Sequence, residues 1–360
     1  MKLSHLLLAV LLAVIGCSSE TTSASERLGS QALAPEEIDA GFDVEVIRPR
    51  GESSARSSVN DTQDEDGDTS DDSESPDDTE SGDENVLEAS DIYNLPDSAR
   101  SWAESLSEAE AAVRDATLNP DARRVWGKRQ QFLYRVLAAN PGWAEEALPL
   151  VDAATAGAAE ANFTARQELS ELVRSYTPGN ELPAWAINAP RDPEELLEYY
   201  HEAAEATDVP WEVLAAINLV ETRMGRIDGK SVAGAVGPMQ FLPSTWEECC
   251  EGDPTIDQDA IRGAAEYLVD RGALTDIRRA LRGYNPSEHY VKAISAYASV
   301  MSQDPAAYYG YHAWDVYFLT SAGPVLLAEG YDEDEPVSLE DWLDAHPETL
   351  VDLVSEPETD

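Results

Sequence analysis

A glutamate interrupts the apolar pattern of the stretch LAAINLVETRMGR, residues 214–226. Leu214, Ile217, Glu221 and Met224 follow one another at steps of three, four and three residues, which predicts one face of an amphipathic helix. An unpaired charge on a buried face costs several kcal/mol, so such a carboxylate either finds a partner or shifts its pKa.

Three interpretations of Glu221 are open at this point. It pairs with Arg223 or Arg226 at the edge of the helix face and is structural, or it ligates a metal. In the third interpretation it has a raised pKa and acts as a general acid, as glycosidases require near neutral pH.

The residues that follow favour the third interpretation. In KSVAGAVGPMQFLPSTW, residues 230–246, Gly234, Gly237 and Pro238 predict a compact loop whose backbone amides can approach a bound molecule. A Ser or Thr in LPSTW is suited to begin the next helix.

The helical glutamate, the loop ending in Met239 and Gln240, and a later Tyr284-Asn285 pair occur in this order along the chain. This constellation resembles the lytic transglycosylases, lysozyme-like enzymes that cleave bacterial peptidoglycan. The segments ETRMG, AGAVGPMQFLPSTW, DAI and YNPSEHYV are most similar to the membrane-bound B-type enzymes, which share their core with the soluble lytic transglycosylase domain. The resemblance covers roughly residues 190–300.

The resemblance implies that Glu221 is the catalytic residue. It also implies five residues that contact substrate or line the cleft: Ser231, Met239, Gln240, Tyr284 and Asn285. For Asn285 a structural hydrogen-bonding role is the alternative. Val232 departs from the family, where a second small polar residue is frequent, and the segment EECCEGDPTIDQDAI lacks the ligand order of a calcium loop, so no metal is assigned.

The mechanism that the resemblance implies needs only one carboxylate to cleave the glycosidic bond. The N-acetyl group of the substrate assists departure of the leaving group, and the sugar's own C6 hydroxyl then attacks C1. The same glutamate serves first as acid and then as base, and the product carries a 1,6-anhydro-muramyl end. We therefore expect no cofactor.

The predicted fold class is mainly α, with a lysozyme-like transglycosylase domain at residues 190–330 that follows a helical accessory module at residues 91–180. Helix breaks are predicted at 119–121, 140–143 and 155–159, and a small hairpin around a Gly-Pro turn is predicted after Gly310. The proline-rich residues 177–193 predict a linker that few contacts cross, and residues 331–360 predict an acidic C-terminal tail.

The N-terminal residues indicate export. Residues 1–16 are typical of a lipoprotein signal peptide, and VIGC resembles a lipobox, which makes Cys17 the expected lipidation site; an ordinary signal peptide is the alternative. Residues 17–90 are rich in acids and poor in apolar groups, so we predict a disordered acidic tether. The expected location is the periplasmic face of the outer membrane, held through the lipid on Cys17.

The net charge of −47 argues against nucleic-acid binding, which needs a basic surface. Cys249 and Cys250 are adjacent, and two states are open for them: a disulfide formed in an oxidising compartment, or two thiols at a helix end.

The leading prediction is an exported lytic transglycosylase whose partner is the glycan strand of peptidoglycan. The alternatives are a muramidase that hydrolyses the same bond with water, and a non-catalytic peptidoglycan-binding or scaffold lipoprotein. The sequence identifies no protein partner.

Overall fold

The computed structural model describes residues 87–354, all of which belong to the same unit of the chain. The predicted signal peptide, Cys17 and almost all of the predicted tether lie outside the described residues. The described part is mainly helical, as predicted. None of its helices is both long and apolar enough to cross a bilayer.

Twelve α-helices occur among the described residues: α1 (Ala99–Arg114), α2 (Pro120–Ala139), α3 (Ala144–Ala147), α4 (Ala156–Leu172), α5 (Pro193–Thr207), α6 (Trp211–Thr222), α7 (Pro243–Cys249), α8 (Asp257–Asp270), α9 (Ile277–Tyr284), α10 (Glu288–Gln303), α11 (Ala307–His312) and α12 (Leu339–Ala345). Short 3₁₀ turns lie at Ala89–Asp91, Pro141–Trp143, Leu148–Leu150 and Pro347–Thr349. The predicted break at 140–143 is confirmed, whereas residues 119–121 and 155–159 lie where α2 and α4 begin, so the actual breaks come just before them.

Side-chain hydrogen bonds cap the N-termini of several of these helices. Ser98 and Ser101 form a reciprocal capping box at α1, and Asn119 accepts from the Ala122 amide with Pro120 in the first turn of α2. Asp192 caps α5 in the same way. These caps satisfy amides that have no partner inside the helix.

Six short strands form three antiparallel pairs in the part of the chain that the structure describes. The strands are β1 (Glu181–Leu182), β2 (Ala186–Ile187), β3 (Ile227–Asp228), β4 (Val316–Thr320), β5 (Gly323–Leu327) and β6 (Val337–Ser338). β1 pairs with β6, β2 with β3, and β4 with β5. The predicted hairpin after Gly310 is confirmed, but its turn is Ser321-Ala322, because Thr320 pairs with Gly323.

The predicted linker and tail are both part of the fold. Residues 177–193 contain β1 and β2, and residues 331–360 contribute β6 and α12. Leu182, Trp185 and Ile187 pack with β4 and β5 in a small apolar cluster that Leu339 also joins. The proline-rich composition therefore marks a change of secondary structure rather than a spacer.

The residues before and after segment 177–193 make extensive contacts with each other. This corrects the expectation that few contacts join the two sides of the predicted linker. α4 packs along α10, and α2 packs against α11, within one continuous apolar core. Polar contacts cross as well: Arg114 Nε donates to Asp304 at 2.6 Å, and Lys292 Nζ donates to Glu168 at 3.0 Å. The helices before residue 180 thus support α10 directly.

Candidate active site

Glu221 lies at the C-terminal end of α6 and is 2 % exposed. All residues of this helix from Val213 to Thr222 are buried, so α6 is surrounded by protein rather than exposing one face to solvent. Burial raises the pKa of Glu221 to about 7, and the hydrogen bond from Tyr290 partly opposes this increase. The carboxyl group can therefore hold a proton near neutral pH.

Tyr290 is the hydrogen-bond partner of Glu221. Its hydroxyl, on the first turns of α10, donates to Glu221 Oε1 at 2.8 Å. Glu221 Oε2 has no hydrogen-bond partner among the described residues. One carboxyl oxygen is thus fixed, and the other is left for a proton and a bound molecule.

The predicted alternative of an ion pair with a neighbouring arginine is not found. Arg223 donates to the carbonyl of Leu219 and lies over the ring of Trp314 at 5.4 Å. Arg226 donates to the carbonyl of His312 at 3.0 Å. Among the described residues Glu221 forms no ion pair, and no other carboxylate or cation accounts for its pKa.

The chain directly after α6 adopts an unusual backbone. Arg223, Met224 and Gly225 have φ values of 58°, 59° and 81°, three consecutive left-handed residues. In Arg and Met this conformation costs roughly 1–2 kcal/mol each, and such strain clusters at functional sites. The buried Arg223 and Met224 side chains are held in place by packing that offsets this cost.

Two further polar residues of α6 hold the glycine-rich loop against the helix. Asn218 Nδ2 donates to the carbonyl of Pro238 at 2.8 Å, and Thr222 Oγ1 donates to the same carbonyl at 2.6 Å. Tyr200 in turn donates to Asn218 Oδ1 at 2.5 Å, which fixes the orientation of the amide. The residues on both sides of Glu221 thereby position the loop.

The loop ends in a tight turn. The Gln240 amide donates to the Gly237 carbonyl at 3.0 Å, and Val236 and Phe241 exchange backbone hydrogen bonds on either side. A Cβ at Gly237 would lie 1.8 Å from the carbonyl oxygen of Pro254, and φ is 74° there. Glycine is therefore required at this position, both for the close approach and for the backbone angle.

Gln240 has the features of a ligand-contacting side chain. It is 4 % exposed, its φ is 52°, and its Nε2 donates to the Gly237 carbonyl at 2.9 Å. Its Oε1 is buried without a hydrogen-bond partner among the described residues. A buried acceptor without a donor is uncommon, and one explanation is a donor that a bound molecule supplies.

The structure brings Met239 and Tyr284 together. The Tyr284 hydroxyl donates to the Met239 carbonyl at 2.6 Å, and the Met239 side chain is fully buried. Burial raises the pKa of Tyr284, and the negative charge of Glu221 adds to this increase. Phe241 packs edge-on against Tyr284 at 5.6 Å.

Ser231 and Asn285 have mainly structural contacts. Ser231 Oγ accepts from the Ala235 amide at 3.0 Å and closes the first half of the loop. Asn285 Oδ1 accepts from the Ser287 amide at 3.1 Å, just before α10 begins. For Asn285 these contacts favour the structural alternative.

Sequence reasoning missed three residues of this site: Asn218, Thr222 and Tyr290. A signal was present for the first two, since Asn218, Glu221, Thr222 and Gly225 follow the spacing of one helix face inside an otherwise apolar helix. Tyr290, 69 residues from Glu221, lies within the segment YNPSEHYV that carries the resemblance, but only its contact with Glu221 shows its role.

Cys249 and Cys250 form a disulfide, which decides between the two states left open by the sequence. α7 ends at Cys249, and Cys250 is extended with φ −137° and ψ 159°. Among residues 87–354 no group of three or more His, Cys, Asp or Glu side chains is arranged to hold a metal ion.

Comparisons with protein-family models, with curated proteins and with solved structures found no match for this chain. The site's chemistry therefore carries the functional argument alone.

Proposed function

We propose that this chain is a lytic transglycosylase of lysozyme-like fold that cleaves the β-1,4 bond between N-acetylmuramic acid and N-acetylglucosamine in peptidoglycan. The observation that carries the proposal is a buried glutamate with a pKa of about 7 and no charged partner among the described residues. It lies beside a glycine-rich turn that is hydrogen-bonded to its own helix. This combination supports a group that exchanges protons rather than one that holds the fold together.

In the proposed mechanism Glu221 begins protonated and donates its proton to the glycosidic oxygen as the C1–O bond breaks. The N-acetyl group assists departure of the leaving group. The resulting carboxylate then accepts the proton of the C6 hydroxyl while that oxygen bonds to C1, which closes the 1,6-anhydro ring. Glu221 returns to its protonated state, and no water is consumed.

The surroundings of Glu221 suit both halves of this cycle. Burial favours the neutral acid before the reaction, and the Tyr290 hydroxyl stabilises the carboxylate formed midway, because it donates a hydrogen bond to Oε1. We assign Tyr284 and Met239, which are hydrogen-bonded to each other, to the wall of the same site.

The products distinguish this reaction from hydrolysis of the same bond. Purified peptidoglycan is digested with the protein, and the muropeptides are analysed by mass spectrometry. We expect ends that are one water lighter than hydrolysed reducing ends. Hydrolysed ends would instead identify a muramidase, and an absence of cleavage at equal binding would identify a non-catalytic glycan-binding protein.

The cellular location is part of the same proposal. Cys17, outside the described residues, would carry the lipid that holds the protein at the periplasmic face of the outer membrane. The Cys17→Ala variant should leave the membrane fraction with its activity in solution intact. Retention of that variant in membrane pellets after high-salt washing would exclude the anchor.

A further inference from the structure

One stretch of this acidic protein has the opposite charge. Residues 87–354 hold 47 Asp and Glu against 19 Lys and Arg, a net charge of −28. Residues 271–292 within them hold five Lys and Arg against two acids, a net charge of +3. A basic segment in such a background forms a local site of positive potential.

The positive charges of this stretch lie mainly on the exposed side of α9. Ala280 and Leu281 are buried, whereas Arg278, Arg279 and Arg282 are exposed. We call these three arginines the basic face of α9. It covers the side of the helix that does not pack against the core.

Only part of this charge is neutralised. Arg282 donates to Glu288 Oε2 from Nε at 2.9 Å and from Nη2 at 2.7 Å, and Arg278 donates to Glu288 Oε1. One carboxylate therefore serves two guanidinium groups. The side chain of Arg279 has no partner among the described residues, so the group retains two positive charges.

The basic face adjoins the candidate active site through both of its neighbouring elements. α9 ends at Tyr284, which donates to the Met239 carbonyl of the glycine-rich turn. Glu288 begins α10, two residues before Tyr290, which holds Glu221. A polymer bound at Glu221 would thus pass close to these arginines.

We propose that the basic face of α9 binds the carboxylate groups of the short peptides attached to the glycan strand. This inference rests on the proposed function, which supplies the substrate. Guanidinium groups suit carboxylates because their paired N–H donors match both oxygens. A long, uniformly charged polyanion suits the basic face of α9 less well, because it would extend onto the acidic remainder of the surface. Peptides on an uncharged sugar chain instead present their negative charge locally.

The test measures binding and cleavage separately. Binding of the whole chain is measured by sedimentation with insoluble peptidoglycan, and by competition with the soluble glycan strands that remain after an amidase has removed the peptides and with them the cross-links. Arg279→Glu is the test variant, because the exposed Arg279 side chain forms no hydrogen bond or ion pair among the described residues that the variant would lose. Arg100→Glu, on the exposed surface of α1, is the control with the same change of charge.

We expect Arg279→Glu to weaken binding to peptide-bearing material about three- to fivefold at low salt, and to weaken binding to the stripped glycan less, because the amidase leaves only the lactyl carboxylate of each muramic acid there. The effect should disappear near 1 M salt, and Arg100→Glu should bind like the wild type. Equal binding of wild type and Arg279→Glu to the peptide-bearing material would overturn the inference. So would a loss of binding confined to vesicles of anionic phospholipid.

Cleavage of the stripped glycan tests the proposed function independently. If the protein binds as expected but cleaves neither material, the proposed enzymatic function is wrong and the peptide-binding face stands. If it cleaves both materials while Arg279→Glu binds both like the wild type, the enzymatic function stands and the peptide-binding face is wrong.

Discussion

Replacing Glu221 with Gln should change the pH dependence of stability as well as the activity. The pKa of Glu221 in the folded state is about 7, above its ordinary value of 4.5. Between pH 4.5 and pH 7, Glu221 therefore keeps a proton in the folded protein that it has released in the unfolded chain. The stabilisation from this proton is complete below about pH 4.5, falls as pH rises, and is lost above about pH 7. The difference between the pKa values of Glu221 in the folded and unfolded states corresponds to about 3 kcal/mol in the free energy of unfolding.

The amide in the Glu221→Gln variant has no proton to lose, so its contribution to stability stays constant with pH. The free energy of unfolding of Glu221→Gln, relative to wild type, should therefore rise by about 3 kcal/mol between pH 4.5 and pH 8. The amide oxygen can still accept from Tyr290, which keeps the local structure. Turnover on peptidoglycan should fall at least roughly a thousandfold, since the amide cannot donate a proton to the glycosidic oxygen.

The assay is urea-induced unfolding of both proteins at several pH values, followed by circular dichroism. Only the difference between the two proteins is used, because the titration of the other acids then cancels. Glu205→Gln, at an exposed position of α5, is the control for replacing an acid by an amide. A pH dependence no larger than that of this control would refute the raised pKa of Glu221, and more than a tenth of wild-type turnover would refute its role as the acid.

Three further predictions concern Tyr290, the glycines of the loop, and a fragment that lacks the helices before residue 180. Tyr290→Phe removes the hydrogen bond that lowers the pKa of Glu221, so the pH above which kcat/KM declines should move upward, at a stability cost of about 1 kcal/mol; an unchanged pH profile would contradict this. Gly237→Ala should destabilise the fold by more than about 2 kcal/mol and abolish turnover. In the control variant Gly234→Ala, φ is 81° but no atom lies within 4 Å of the new Cβ, so thermal denaturation should show a loss of only about 1 kcal/mol. Equal losses of stability in the two variants would argue against the contact between Gly237 and Pro254. A fragment of residues 189–360 should fail to unfold cooperatively on heating, because it lacks α4, which packs along α10; a cooperative transition would show that the C-terminal part folds alone.

The sequence was sufficient for the helices because helix formation depends on neighbours three and four residues apart. The apolar spacing predicted α6 and α10, and the breaks near residues 120, 141 and 156 appear where Pro, Asn and Gly interrupt it. α9 and α11 were not predicted. Both are short, and arginines or tyrosines occupy half of their positions, which leaves little apolar periodicity to detect.

Composition alone was misleading for the segments between helices. Four prolines in residues 177–193 predicted a linker, but two short strands form there because their partners, β3 and β6, come from distant parts of the chain. Strand pairing of this kind has no local signature. The same holds for the contact of α4 with α10, which joins the two parts that the sequence divided.

The sequence by itself determined the type of residue at the site. A single glutamate within an apolar helix and a glycine at position 237 of the following loop are both visible in the order of residues. Only the tertiary structure decided what Glu221 meets. The direction of Arg223 toward Trp314, the hydroxyl of Tyr290 and the two side chains that hold Pro238 follow from packing between distant segments. These long-range contacts set the charge environment of the carboxyl group, and with it the pKa on which the proposed chemistry depends.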